Sequence, residues 1–340
     1  MTPGRSLIPK KGLPMKTRIH TIAASLLLGT SVLLTACSDG SLKVGFFGVA
    51  QSNSFAQGVY LGVQEAVKAN NASATFIDSN FDASVQAQLI MDAVNAKSYD
   101  VIVVQANDNQ KLIAPLQAAT AAGITVVVEF SVVGPRFDTI DPQVKDAISI
   151  VDLPGNNGTA LGQLGIDACA QVAGSTCNVA YLEGFRSLAL DTVRTNAVKA
   201  KLATSAKVNL VASVEGGYTA DSGRAAFQTV KQSNPNLDVV IGSSQAIEGA
   251  AAAAGSASGI KFIGNGGSKQ AVAAVRDGSW FATYIFDVFG NGKKATELGL
   301  AKARGQQVVT AINEQTLAPN NGLGTQGALS ASNFQAAYSD

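Results

Sequence analysis

The stretch Asp100-Val-Ile-Val-Val-Gln105, followed through a helical run by Gly123-Ile-Thr-Val-Val-Val-Glu-Phe130, decides the fold of this chain. An apolar run without alternation marks a strand buried on both faces. Asn109–Ala122 has helix length, Gly123 supplies the stop, and Ile124–Glu129 is a second buried strand. Strand, helix, strand of this kind is the unit of a parallel sheet with helices on both sides. The pattern recurs, because Asp238-Val-Val-Ile-Gly242 leads through a helix to Gly259-Ile-Lys-Phe-Ile263. The repetition predicts an α/β protein of two similar, doubly wound, Rossmann-like lobes.

Working outward, Leu42–Phe47 reads as the opening strand, and Phe55, Val59, Val63 and Val67 recur every four residues along a helix. Ala74–Ile77 is a strand, and Val85, Leu89 and Val94 line a second helix. The alternation pauses at the Gly/Pro/Asp-rich passage Gly134–Pro142 and restarts at Ala147–Val151. Asn178–Leu182 and Val208–Val214 complete the strands of the second half, with helices near 158–172, 187–203, 222–233 and 245–256. Open sheets of this type bind ligands beyond the carboxyl ends of their strands, so two facing lobes make a cleft.

Five basic and no acidic residues precede Cys37: Arg5, Lys10, Lys11, Lys16 and Arg18. The 25 basic and 24 acidic residues of the whole chain therefore become 20 and 24 from Cys37 onward. That balance, with no basic patch, argues against nucleic-acid binding. Charged residues make up only 14% of the chain, against about 25% in an average protein, as expected of a tightly packed α/β core.

The basic segment runs into the apolar stretch Ile22–Leu34, too short for a comfortable membrane span, and small residues close it. Residues 1–36 are read as a secretory signal peptide, with Met15 as an alternative start to Met1. Leu34-Thr35-Ala36-Cys37 resembles the lipobox of bacterial lipoproteins, which implies lipid on Cys37, a tether over 37–41 and a membrane-anchored protein outside the cytoplasm. In such an oxidising compartment Cys169 and Cys177 either form a bridge or remain two buried thiols.

The chain resembles a type I periplasmic binding protein of the ribose/galactose-binding kind. The likeness is carried by Ser52-Asn53-Ser54-Phe55 with Gly58, Ile77-Asp78-Ser79, Ala106-Asn107-Asp108 and Gly158-x-x-x-Gly162. Gly264-Asn265-Gly266 and Asp277-Gly278-Ser279-Trp280-Phe281-Ala282-Thr283 complete it, over residues 42–315. The resemblance implies a monomeric solute-binding lipoprotein. It would capture a sugar or sugar-like molecule between its lobes and deliver it to an ABC transporter permease, with no cofactor or metal. It also implies three crossovers acting as a hinge, placed near 140–148, 286–290 and 310–315. Lobe one is expected over 42–145 plus 288–310, and lobe two over 146–287 plus 311–340. The tail after Pro319, rich in Asn, Gly, Ser and Gln, matches no element of the pattern.

Sugar sites combine planar polar groups for hydroxyls with aromatic faces for C–H surfaces. Carried over by position, the family's contacts fall on Asn53, Phe55, Glu129, Phe130, Ser243, Ser244, Gly266 or, with a one-residue shift, Asn265, and Phe286 with Asp287 beside it. For the arginine of lobe two, Arg186 precedes the helix while Arg194 falls inside it, so Arg186 is preferred. Phe46 and Phe47 alternate, one toward the core and one toward the cleft mouth. Phe130, Phe286 and the two serines stand where the family has more polar groups. A smaller, less hydroxylated or partly apolar ligand is the corresponding alternative, as is a sensor that feeds a membrane receptor.

An enzyme is the first rival reading. The only histidine is His20, ahead of Cys37, and neither a Gly-x-Ser-x-Gly elbow nor a Walker loop occurs. A sugar-responsive repressor shares the fold but needs a DNA-binding module where the signal peptide lies.

Overall fold

Strand and helix form largely where the hydrophobic spacing places them in a computed structural model that describes residues 41–340. The segment read as a signal peptide, Cys37 and the expected tether up to Gly40 lie outside the described residues. Among the described residues no helix is long and apolar enough to cross a membrane.

The first sheet holds β1 (Leu42–Gly48), β2 (Ala72–Asp78), β3 (Val101–Gln105), β4 (Thr125–Phe130), β5 (Ile148–Val151) and β11 (Ala311–Asn313). Its order is β11-β5-β4-β3-β1-β2, every pairing parallel. The second sheet holds β6 (Cys177–Glu183), β7 (Val208–Glu215), β8 (Val239–Ser243), β9 (Lys261–Gly266), β10 (Ala282–Ile285) and β12 (Leu323–Thr325). Its order, β12-β10-β9-β8-β6-β7, repeats that of the first, except that the edge strand β12 is antiparallel. The two-lobed, doubly wound α/β class expected from the repeated pattern is the observed one.

Two lobe boundaries differ from the expectation. The strand at 147–151 does not open the second lobe, because Ile148–Val151 pair in register with Val127–Phe130 of β4 and are fully buried in the first sheet. Residues 311–313, assigned to lobe two, return to pair with Ser149–Val151. The chain therefore crosses between sheets after Val151, after Ile285 and between Asn313 and Leu323.

Helices α1 (Ser54–Ala69), α2 (Ala83–Ala96) and α3 (Ile113–Ala121) cover the first sheet, joined by α9 (Val288–Ala303). Helices α1 and α9 approach closely because each has a glycine at the contact. A Cβ on Gly62 would lie 2.1 Å from the Phe289 carbonyl oxygen, and one on Gly292 would lie 2.1 Å from that of Val59. Around the second sheet lie α4 (Pro154–Ala170), α5 (Ala189–Leu202), α6 (Ala220–Ser233), α7 (Ser244–Ala254) and α8 (Lys269–Asp277). A disulfide joins Cys169 of α4 to Cys177 of β6. Closing so short a loop contributes about 2.5 kcal/mol on the chain-entropy account. A short helix, α10 (Gln326–Ala331), leads into the tail.

Candidate functional site

The carboxyl ends of both sheets face one another across a cavity of about 130 Å³, smaller than the roughly 300–1,000 Å³ of drug-sized sites. Lobe one contributes Val49 and Asn53 from the β1–α1 turn, Phe55 from the first turn of α1, Gln105 at the end of β3 and Asn107 just after it, and Phe130 at the end of β4. Lobe two contributes Phe185, Leu188, Arg194, Tyr218, Gln245 and Asn265. Phe286 enters from the second crossing, and Tyr338 from the tail. The cavity-lining groups thus sit where a doubly wound sheet places its ligands.

One wall is aromatic. The Phe55 ring lies 4.8 Å from Phe130, 6.0 Å from Phe286 and 5.6 Å from Tyr338, centroid to centroid. Phe130 meets Phe286 edge-on at 5.1 Å. Phe130 adopts φ 55°, a left-handed conformation that is costly for a bulky residue and recurs at functional sites. The kink at the strand end turns its ring into the cavity.

The other wall is a buried polar network centred on Arg194, only 4% exposed. Its Nε donates to Asn157 Oδ1 at 2.5 Å, and its Nη1 donates to Asp191 Oδ1 at 2.6 Å. Tyr218 donates its hydroxyl proton to the same Asp191 oxygen at 2.5 Å, while Asp191 Oδ2 accepts from the Phe185 amide. Asn157 donates in turn to Asn265 Oδ1 at 3.0 Å. Nη2 has a single distant carboxylate, Asp152, at 3.9 Å. The guanidinium is therefore locked on two edges and keeps donor capacity for a ligand. In lobe one, buried Gln86 accepts from the Asn107 amide at 2.8 Å and donates to the Gln105 carbonyl at 2.8 Å. This fixes the turn that carries both residues.

Of the residues singled out from sequence, Asn53, Phe55, Phe130, Asn265 and Phe286 line this cavity. Asn53 also caps α1, accepting from the Ala56 amide. The other five are placed elsewhere. Arg186 sits on the outer surface, its Nε donating to Glu183 at 2.8 Å and its side chain 61% exposed. Ser243 is the cap of α7 and donates to the Gly217 carbonyl. Ser244 accepts from the Gly267 amide, and Asp287 caps α9 through the Gly290 amide. Each hydroxyl or carboxylate is thus engaged in shaping a turn. Glu129 is fully buried but does not reach the cavity wall, and neither of its oxygens has a hydrogen-bond partner. Phe46 and Phe47 are both core residues, packed on Phe76 and Tyr99 respectively, and neither reaches the cleft mouth.

The polar cavity-lining residues not singled out from sequence include Arg194, set aside in favour of Arg186, and Gln105, Asn107, Tyr218, Gln245 and Tyr338. The available signal for Arg194 was its spacing from Asp191, an i,i+3 ion pair on the first turns of a helix that follows a buried strand.

A second cluster lies at the carboxyl ends of neighbouring strands of the first sheet. Glu129 at the end of β4, Asp152 just after β5 and Glu314 just after β11 are each at most 1% exposed, and their carboxylate oxygens have no hydrogen-bond partners. Burial raises all three, Asp152 to about 6 even with Arg194 opposing the rise. Glu314 is pushed further by Asp152 and Glu129.

A family described as periplasmic binding protein domain matches residues 44–307. The ribose import binding protein RbsB of Bacillus subtilis (strain 168) is 23% identical over 308 residues, covering 86% of this chain and 96% of that protein. Among solved structures, an ABC transporter periplasmic solute-binding protein of Actinobacillus succinogenes 130z, with bound D-allose, superposes with a TM-score of 0.72. It is 18% identical, over 86% of this chain and 100% of that one. A solute-binding protein of Mycobacterium smegmatis, with bound glycerol, gives a TM-score of 0.71 at 21% identity, over 88% and 100%. At such identities the superpositions speak for the fold.

Proposed function

The chain belongs to the periplasmic binding protein family, and from that premise we propose that it captures a small sugar or polyol between its lobes for an ABC transporter permease. The observation that carries this reading is the cavity itself, with hydrophobic ring faces on one wall and the locked Arg194–Asn157–Asn265 network on the other. A pyranose or polyol has this same division between C–H faces and hydroxyl edges. Arg194, Asn265, Gln245 and Asn53 donate to or accept from hydroxyls, and Phe55, Phe130 and Phe286 cover the C–H surface. A ligand that touches both lobes favours the closed form by its differential affinity, which gives the permease a state to recognise. No step of this mechanism requires turnover.

A thermal-shift screen over pentoses, hexoses, polyols, nucleosides and small aromatic acids tests the reading. A ligand at about 100 times its Kd stabilises by about 2.7 kcal/mol, so a sugar or polyol is expected to raise the Tm by several degrees. The aromatic wall favours a second reading, a less polar non-sugar ligand. A response confined to nucleosides or aromatic acids would replace the sugar assignment with it.

The family works outside the cytoplasm, and lipid on Cys37 would hold this chain at the membrane as a monomer. Cys37→Ser is expected to move the protein from the membrane fraction to the soluble one. Persistent membrane association would remove the lipid anchor from the account.

A further inference from the structure

The tail after α10 finds its place inside the ligand site. Its Tyr338 is 4% exposed, lines the cavity and packs its ring 5.6 Å from Phe55 of lobe one. Two glycines make room for it. A Cβ on Gly58 of α1 would come within 3.3 Å of the tyrosine Cβ, and one on Gly266 would come within 2.5 Å of its hydroxyl. That hydroxyl is buried beside Gly266 and near the Ser244 hydroxyl, but the Ser244 oxygen is committed to the Gly267 amide and no hydrogen bond of good geometry engages Tyr338.

The backbone around Tyr338 belongs to lobe two. Its carbonyl accepts from the Lys269 amide at 2.9 Å, the Asp340 amide donates to Gln270 at 3.1 Å, and Ser268 donates to the Asp340 carboxylate. Arg276 holds the Phe334 carbonyl at 2.8 Å. The segment is thus tied to α8 while its aromatic side chain reaches α1 of the opposite lobe.

Resting on the sugar or polyol reading above, we propose that segment 334–340 is an intramolecular wall of the ligand site and that Tyr338 is its specificity-determining residue. The ring shortens the cavity and excludes substituents that would project toward Gly266. The unpartnered hydroxyl is offered to a ligand hydroxyl, since a buried polar group without a partner is costly until something satisfies it. The site therefore selects pentose-sized ligands over their hexose homologues.

The test is calorimetric titration of the full chain and two variants with D-ribose and D-allose, which differ by one hydroxymethyl group. Wild type is expected to favour D-ribose. Tyr338→Ala opens the wall and should shift the affinity ratio toward D-allose by about tenfold or more, the scale of one extra carbon in a fitted pocket. Tyr338→Phe keeps the ring, so its Tm should stay within about 1 °C of wild type while affinity for D-ribose falls about three- to tenfold. A merely structural tyrosine would change the Tm and leave the ratio of the two sugars alone. Wild-type ratio and affinity in both variants would overturn the proposal while leaving the binding-protein reading intact. Should Tyr338→Ala not fold, unchanged D-ribose affinity in Tyr338→Phe is enough to overturn it. Absence of binding of either sugar to wild type would be a failure of the sugar reading, and would take this proposal with it.

Discussion

Arg194→Ala is expected to weaken ligand binding by about a hundredfold or more, the largest effect of any single substitution in the cleft. Hydrogen bonds from a charged donor contribute about 1.5–3 kcal/mol each, and the buried guanidinium is already oriented by Asn157 and Asp191. Its orientation has been fixed in folding, so little conformational freedom is lost when a ligand arrives. Removal also strands its neighbours. Asp191 keeps Tyr218 and the Phe185 amide, but Asp152 loses the one cation beside it. Breaking a buried charge pair by deleting one partner costs about 3–5 kcal/mol, so the Tm should fall too. Arg194→Lys separates the two effects. It retains charge near Asp152 but cannot reproduce the planar fork that reaches Asn157 and the cavity together. Titration of each variant with the best ligand of the screen, beside its melting curve, checks this. A reduced Tm with affinity within about threefold of wild type would make Arg194 a structural residue only.

The second large effect is an unusual pH dependence. Glu129, Asp152 and Glu314 are each raised by burial, so between the ordinary carboxylate range and their folded values the native state holds protons that the unfolded chain releases. Their contribution is complete below about pH 4 and is lost as the pH rises through the folded values. For Asp152 that window runs from 3.8 to about 6, equivalent to about 3 kcal/mol. The groups facing the cluster are Arg194, Tyr284, Asp287 and Asn291, and Arg194 is the only cation among them. Exposed carboxylates held low by local hydrogen bonds, such as Asp82 and Asp277, work in the opposite sense. The informative quantity is therefore a difference between proteins. Glu314→Gln should raise the Tm by several degrees at pH 7.5 and leave it nearly unchanged at pH 4. An equal Tm for variant and wild type at both values would contradict the assignment.

The parallel sheets were legible because their central strands are continuous apolar runs, and Asp100–Val104 and Asp238–Gly242 announce the repeat. The lobe boundary was misplaced for a physical reason. The Gly/Pro-rich passage at 134–142 looks like a linker, yet the strand after it has the same hydrophobic pattern in either sheet. Only its register with β4 decides where it goes. Strands β10, β11 and β12 are three or four residues long, too short to show a period.

The site was half legible. Asn53, Phe55, Phe130, Asn265 and Phe286 follow from position at strand ends, which local sequence reveals. Ser243 and Asp287 stand at the same kind of position and cap helices as Asn53 does, but only Asn53 also lines the cavity, and chain spacing does not separate the two cases. Arg194 is anchored by partners 37 residues before it and 24 after it, and Tyr338 arrives from a tail without periodicity. Such long-range pairings leave no local pattern.

The most direct test of capture between the lobes is a crystal structure with the best ligand of the screen. The account predicts that molecule between the sheets, within hydrogen-bond distance of Arg194 and Asn265 and with an apolar face on Phe55 or Phe130. A ligand seated instead in the open groove beneath β9 and β10, near Lys261 and Trp280, with the interlobe cavity unaltered, would contradict it.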